Sequence, residues 1–210
     1  MRNEIPPSTS SRDGLIRFLE ERGVAPRGVV EQLEAYEALV RRWNSRWNLV
    51  SRNDIDRLRT RHLEDSLELL PWWRGRLADV GSGAGFPGLP LAIARPGSEV
   101  VLIERSERKA RFLGQVVIEL GLANVEVIAQ DVGEFSRSAR SPAERFDTVT
   151  ARAVAPPAEV WNLVRDLLVP NGQVLLQSGT RLSPGMFEVG EIRRAERCGG
   201  RWITAVGRAP

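Results

Sequence analysis

The 210-residue sequence holds one cysteine, Cys198, one histidine, His62, one lysine, Lys109, and one tyrosine, Tyr36. A lone cysteine excludes an internal disulfide and a cysteine metal cluster, so no metal site is expected. No apolar run approaches the roughly eighteen residues that a membrane span needs. The N-terminus lacks the apolar core of a signal peptide. These absences lead us to expect a cytoplasmic protein with no membrane partner. Lysine is nearly missing while arginine is abundant: 30 basic residues against 27 acidic ones leave a net charge of +3. Arginines of this kind suit phosphate contacts to nucleic acid, although composition alone leans that way only slightly. At 42% hydrophobic and 27% charged, the chain has ordinary globular proportions and enough length for one α/β domain with an appendage.

One stretch organises the chain: Asp79-Val80-Gly81-Ser82-Gly83-Ala84-Gly85-Phe86-Pro87-Gly88. An apolar run, 77–80, precedes it and a helix-like run, 89–94, follows. Strand, glycine turn and helix let a backbone pass close to a ligand, because glycine has no Cβ and accepts positive φ. The helix that follows offers free N–H groups to an anionic ligand group. About twenty residues after the glycines, behind a second apolar run, stands Glu104, where an α/β nucleotide fold binds a ribose diol. Gly83, Gly85 and Gly88 satisfy the G-x-G-x-x-G dinucleotide pattern, which is weak by itself. Asp79 with Gly81, Gly83 and Gly85 instead resembles the D-x-G-x-G-x-G signature of S-adenosylmethionine (SAM)-dependent methyltransferases. An acid in the last turn of the strand suits the cationic amino-acid end of SAM, which NAD lacks. SAM is therefore the preferred cofactor, ahead of NAD and of a glycine turn with no ligand.

Residues 1–10 read as a frayed tail. Leu15, Ile16 and Leu19 predict a short helix stopped at Gly23. From Pro26, Val29, Val30, Leu33, Tyr36, Val40, Trp43 and Trp47 recur at helical spacing. A polar loop, 44–53, leads to a further helix capped by Asp54, with Ile55, Leu58, His62 and Leu69 on one stripe. Polar groups on an inward stripe need partners. On spacing alone His62 reads as a core histidine hydrogen-bonded to Asp65; a polar cluster against cofactor or substrate is the alternative. From residue 77 the pattern alternates. Strands are predicted at 77–80, 99–103, 125–129, 146–150 and 173–178, and helices at 87–95, 107–120 and 157–168. Gly121 ends the second of these helices and Pro170-Asn171-Gly172 turns into the fifth strand. Segments 187–197 and 201–207, joined by Gly199-Gly200, suggest a hairpin. The expected fold is α/β and Rossmann-like, a mostly parallel sheet with helices on both faces. The predicted division is an N-terminal helical region, 1–75, and a SAM-binding domain, 76–210.

Ligands in such sheets bind beyond the carboxyl ends of the strands. Those ends supply Asp79 with the glycines, Glu104, the Asp131-Val132-Gly133 turn, and Thr150-Ala151-Arg152. In a SAM reading Glu104 holds the ribose, the 131–133 turn flanks adenine, and Arg152 faces the methionine end or the acceptor; a surface arginine is the equal alternative. The acceptor follows by elimination. The N-P-P-Y-like tetrapeptide that assists amine methylation is T-A-R-A here. A pyrimidine carbon needs a cysteine nucleophile, and Cys198 lies far along the chain. Guanine N7 carries a free lone pair, needs no deprotonation, and could be methylated largely through positioning.

Five segments carry a closer likeness: W-N-S-R-W-N-L-V-S (43–51), R-H-L-E-D-S (61–66), D-V-G-S-G-A-G-F-P-G-L-P-L (79–91), E-R-S-E-R-K-A-R-F-L (104–113) and A-R-A-V-A (151–155). Through them the chain resembles the RsmG (GidB) family of bacterial small-subunit (16S) rRNA guanine-N7 methyltransferases over roughly residues 30–180. The resemblance implies a class I methyltransferase sheet with a helical N-terminal extension, SAM as donor, and 16S rRNA or the small ribosomal subunit as partner. It carries cofactor binding onto Gly81, Phe86, Glu104, Arg105, Ser106, Val132, Gly133 and Arg152. It moves His62 and Asp65 to the functional site beside Arg152, as positioning groups with no general base. It also makes Lys109 and Arg111 candidates for RNA contact. A monomer is expected. The chain departs from the family pattern in having Gly133 where an acid is usual, Gln177-Ser178-Gly179 where Lys-Gly is usual, and a short 180–210 segment. Another RNA, a small-molecule acceptor, or a non-catalytic SAM-binding module remain alternatives on those grounds.

Overall fold

The computed structural model describes residues 11–138, 144–152 and 154–209. The 1–10 segment and Ala153 of the A-R-A-V-A motif lie outside them. Strand β1 (Leu77–Val80) sits at the centre of a mixed sheet. It is flanked on one side by β2 (Val100–Ile103) and β3 (Val125–Ile128), and on the other by β4 (Phe146–Ala151) and β5 (Leu168–Ser178), all parallel. Two further strands, β6 (Gly190–Cys198) and β7 (Arg201–Arg208), form a hairpin whose second strand pairs antiparallel with β5. The order across the sheet is β3-β2-β1-β4-β5-β7-β6. The topological reversal falls between β1 and β4, which is where such sheets open a crevice for ligands.

The period of two sends alternate residues of each strand to opposite faces. Leu77, Val100, Leu102, Leu175 and Ile203 enter one buried cluster, while Ala78, Val80, Val101, Ile103, Val149, Val174 and Leu176 enter another. The first face is covered by α1 (Arg12–Glu20), α2 (Val29–Trp47), α5 (Gly88–Ala94) and α6 (Glu107–Leu120). The second is covered by α7 (Val132–Ser138) and α8 (Pro157–Val164). Burial of both faces explains why β2 reads as a continuous apolar run. Leu15, Leu19, Leu33, Tyr36 and Val40 of the N-terminal helices share one core with Leu89, Phe112 and Leu113, so this region packs on the sheet as a further layer.

Several boundaries differ from the sequence expectation, each for a local reason. Helix α2 runs on to Trp47 before Asn48 turns left-handed, and Asn44 Oδ1 accepts the N–H of Val50 at 2.9 Å, so the predicted loop shortens from its start. The next helix starts at Ser51, not Asp54: α3 (Arg52–Ile55) is a single turn, with the Ser51 hydroxyl 2.6 Å from Asp54 Oδ2. A π-helical turn, Arg59–Glu64, then leads into α4 (Asp65–Leu67). Helix α7 has no counterpart among the predicted elements; Asp131 Oδ1 caps it by accepting from Gly133 N at 2.8 Å. The predicted turn at 170–172 lies inside β5, where Asn171 takes φ +66° and the pairing with β4 slips. Helix 157–168 ends as α-helix at Val164 and closes with a 3-10 turn.

Candidate functional site

The turn after β1 is built by its own backbone. Gly81 N and Ser82 N both donate to Ile103 O, at 2.8 and 3.3 Å, which fixes the loop on the end of β2. Gly81 adopts φ +66° and Gly85 φ +99°, conformations costly for residues with a Cβ. Glu104 is pinned at both oxygens: Oε2 accepts from Gly83 N and Oε1 from Ser106 N, each at 2.8 Å. Each oxygen keeps a lone pair for a further donor. Asp79 is fully buried; its Oδ2 accepts from Gly88 N at 3.0 Å, while Oδ1 has no hydrogen-bond partner. Burial pushes its pKa up to about 7, against the partial offset of the Gly88 hydrogen bond and the Arg152 charge. Tyr36 supports the loop from below, donating its hydroxyl to Ala84 O at 2.7 Å.

Two cavities flank the ends of β1 and β4. One, of about 330 Å³, is lined by Gly81, Glu104, Arg105, Lys109, Asp131 and Val132 among others. The other, of about 360 Å³, is lined by His62, Arg152, Gln177 and Arg201 among others. Ala155 borders both.

His62 and Arg152 meet in the lining of the second, with Arg152 Nη2 2.7 Å from His62 Nδ1. The guanidinium has only N–H donors, so Nδ1 accepts and the proton of a neutral ring sits on Nε2. Burial, then the Arg152 charge, lowers the His62 pKa to about 4. The ring packs on Phe86 at 5.2 Å between centroids, and the Arg152 guanidinium lies 5.3 Å from the same ring. Burial also lowers the Arg152 pKa, with the Asp79 charge acting in the opposite direction.

The sequence paired His62 with Asp65, and the structure does not. Asp65 Oδ2 instead accepts from Arg201 Nε at 2.7 Å, and Asp65 O accepts from Gln177 Nε2 at 2.6 Å. The π turn changes the register of the segment, and His62 turns to Phe86 and Arg152 while Asp65 turns to β5 and β7. Lys109 and Arg111 also separate. Lys109 borders the cavity of Glu104, whereas Arg111 is solvent-exposed and pairs with Glu107 one turn earlier at 3.0 Å. Gly133 N and Asp131 Oδ1 are engaged with each other as a helix cap, so that carboxylate oxygen is already used within the chain. Sequence reasoning missed Arg201, which lies 136 residues from its partner Asp65. It also gave no role to Gln177, which lines the second cavity. Among the described residues no group of three potential metal ligands forms, and no helix is long and apolar enough to cross a membrane.

Comparison with known proteins follows the same outline. The model of the family rRNA small subunit methyltransferase G (GidB) matches residues 29–187. Ribosomal RNA small subunit methyltransferase G of Halorhodospira halophila is 44% identical over 168 residues, which span 77% of this chain and 75% of that protein. Its namesake in Chromobacterium violaceum is 42% identical over 152 residues, 71% of this chain and 70% of that one. In fold, a mutant of MtNAS solved in complex with S-adenosylmethionine superposes with a TM-score of 0.56 at 17% identity, covering 95% of this chain and 78% of that chain. The family match spans the helices that bring in His62 as well as the strands that hold the glycine loop, and the chain therefore belongs to the rRNA small subunit methyltransferase G (GidB) family.

Proposed function

We propose that this chain methylates N7 of a guanine in small-subunit (16S) rRNA, with SAM as donor. The observation that carries the reading is the meeting of two cavities at Ala155, one beside Glu104 and the glycine loop, the other beside His62 and Arg152. The end of β1 and the turn after it fit SAM on two counts. A Cβ on Gly81 would lie 2.5 Å from Val154 Cγ2, so a side chain there would fill space at the cavity wall. The orphaned Oδ1 of Asp79 offers a buried acceptor suited to an ammonium group. In this reading Glu104 takes the ribose hydroxyls, the turn at Asp131, Val132 and Gly133 flanks adenine, and Gly81, Gly83, Gly85, Phe86, Arg105 and Ser106 complete the cradle.

SAM bound there would supply an electrophilic methyl group to the N7 lone pair, the C–S bond electrons passing to sulfur, so that S-adenosylhomocysteine and an N7-methylguanine cation would result. No proton need be removed from N7, so the residues act by placement. Arg152 fixes the His62 ring, and Phe86 supports both. Asp65 orients Arg201 at the outer rim. Cys198 stands on β6, outside the lining of either cavity, and its thiol pKa is raised by burial, which does not suit a nucleophile. In this arrangement residues 1–75 supply the acceptor side through His62 and Asp65, and residues 76–210 hold the donor. RNA contact is assigned separately to Lys109, at the edge of the donor cavity, and to Arg111, exposed beside Glu107.

The test is methyl transfer from labelled SAM to small ribosomal subunits and rRNA from cells lacking this activity, with mass mapping of the product. N7-methylguanine in small-subunit rRNA is the expected result. SAM binding without transfer to either substrate would overturn the assignment of the acceptor.

A further inference from the structure

Two residues that line the cavity beyond Arg152 each hold a buried polar atom that the protein itself leaves unused. His62 Nε2 is buried and makes no hydrogen bond, and the nearest carboxylate, Asp54 Oδ2, stands 4.0 Å away. Gln177 Oε1 is likewise buried and unpartnered. Neither atom is free to change character. Because Arg152 can only donate, His62 Nδ1 must accept, and Nε2 is left as an N–H donor. Because Gln177 Nε2 donates to Asp65 O at 2.6 Å, the amide is oriented and Oε1 is left as an acceptor. Buried polar atoms without partners are rare in native proteins and call for an explanation. Here they are one fixed donor and one fixed acceptor, carried by two residues that line the same cavity.

Their order across the sheet matters as much as their polarity. His62 packs on Phe86 of the glycine loop and is held by Arg152 at the end of β4. Gln177 is the last residue but one of β5, one strand further from the donor cavity. A purine entering with N7 towards the methyl donor presents its C6 substituent first and N1 next. In guanine these are an acceptor, O6, and a donor, N1–H; in adenine they are a donor, N6–H, and an acceptor, N1.

We infer that His62 and Gln177 read the acceptor base as guanine, with His62 Nε2–H donating to O6 and Gln177 Oε1 accepting from N1–H. Adenine in the same pose would set donor against donor and acceptor against acceptor, the mismatch by which buried polar sites reject analogues most strongly. The second hydrogen bond also serves the reaction. Methylation places positive charge on the purine and makes N1–H a stronger donor, so the bond to Gln177 tightens as the methyl arrives, and loss of it falls on kcat. This inference rests on the guanine-N7 reading of the site. Gln177 thereby acquires a task that a lysine, which has no acceptor, could not perform in the same way.

The experiment compares wild type with Gln177→Met. Calorimetric SAM affinity, which is expected to be unchanged, reports that the variant is folded. Transfer is then measured on small-subunit rRNA, and saturation-transfer NMR with 5′-GMP, 5′-IMP and 5′-AMP is run beside S-adenosylhomocysteine. Wild type should bind GMP and IMP, which share O6 and N1–H, in preference to AMP, and the variant should lose that preference. Its kcat/KM on rRNA should fall about tenfold to a hundredfold, the range for removing one partner of a buried hydrogen bond. A variant that binds SAM normally, keeps its preference for GMP over AMP and stays within twofold in kcat/KM would overturn the inference alone. A wild-type protein that binds SAM but methylates no guanine would overturn the reading of the site, and the inference with it.

Discussion

Replacing Asp79 by Asn should alter the pH dependence of stability more than stability itself at low pH. The carboxyl is fully buried, with one oxygen bonded to Gly88 N and the other without a partner, and burial lifts its pKa from 3.8 to about 7. A raised folded-state pKa means that the native state holds the proton more tightly than the unfolded chain does. The resulting stabilisation is fully present below about pH 4, is lost as pH rises, and is gone above about pH 7. A shift of about three units at about 1.4 kcal/mol each amounts to on the order of 4 kcal/mol. Asparagine cannot release a proton, so the Asp79→Asn variant lacks this slope. Urea unfolding of both proteins across pH 4 to 8 gives the difference in unfolding free energy at each pH, in which other titrating groups largely cancel. That difference should move in favour of the variant by up to about 4 kcal/mol as pH rises. A difference that stays constant to within about 1 kcal/mol would refute the assignment of a protonated, buried Asp79. The same proton should report on the ligand. An ammonium group beside Oδ1 favours the carboxylate, so SAM binding to wild type should release a proton near pH 7 and strengthen as pH rises, and calorimetry in buffers of different ionisation enthalpy measures that release.

Glu104→Ala should weaken SAM binding, and unchanged calorimetric affinity would refute the proposed cradle. Gly81→Ala should lose SAM affinity and also lower the unfolding midpoint, since its Cβ would meet Val154 at 2.5 Å and the backbone sits at φ +66°; normal affinity would show that this turn does not face the donor. Tyr36→Phe removes the buried donor to Ala84 O and should cost about 1–3 kcal/mol in urea unfolding, with SAM affinity falling as the glycine loop loosens. A loss below about 0.5 kcal/mol would mean that the hydroxyl is dispensable.

Local sequence was enough to determine much of the framework. The apolar runs ending at Val80 and Ile103 lie in strands because both faces of a parallel sheet are buried, and Gly81, Gly83 and Gly85 mark the sharp turn after β1 because they tolerate its positive φ. Glu104 could be placed because its distance from that turn is set by one strand–helix–strand unit. The motifs 43–51 and 61–66 pointed to the family through residue identity alone.

Which polar groups meet was decided by tertiary structure. His62 and Asp65 are three residues apart and read locally as partners, yet a π turn sends one to Phe86 and Arg152 and the other to Gln177 and Arg201. Arg152 and His62 are 90 residues apart, and Arg201 and Asp65 are 136 apart. No local pattern encodes those meetings, because they depend on the order of strands across the sheet and on the hairpin folding back beside β5. Sequence sets periodicity, turns and the glycine cradle through short-range sterics. The tautomer of His62, the orientation of Gln177 and the proton on Asp79 follow from burial and from neighbours that only the folded chain brings within hydrogen-bonding distance.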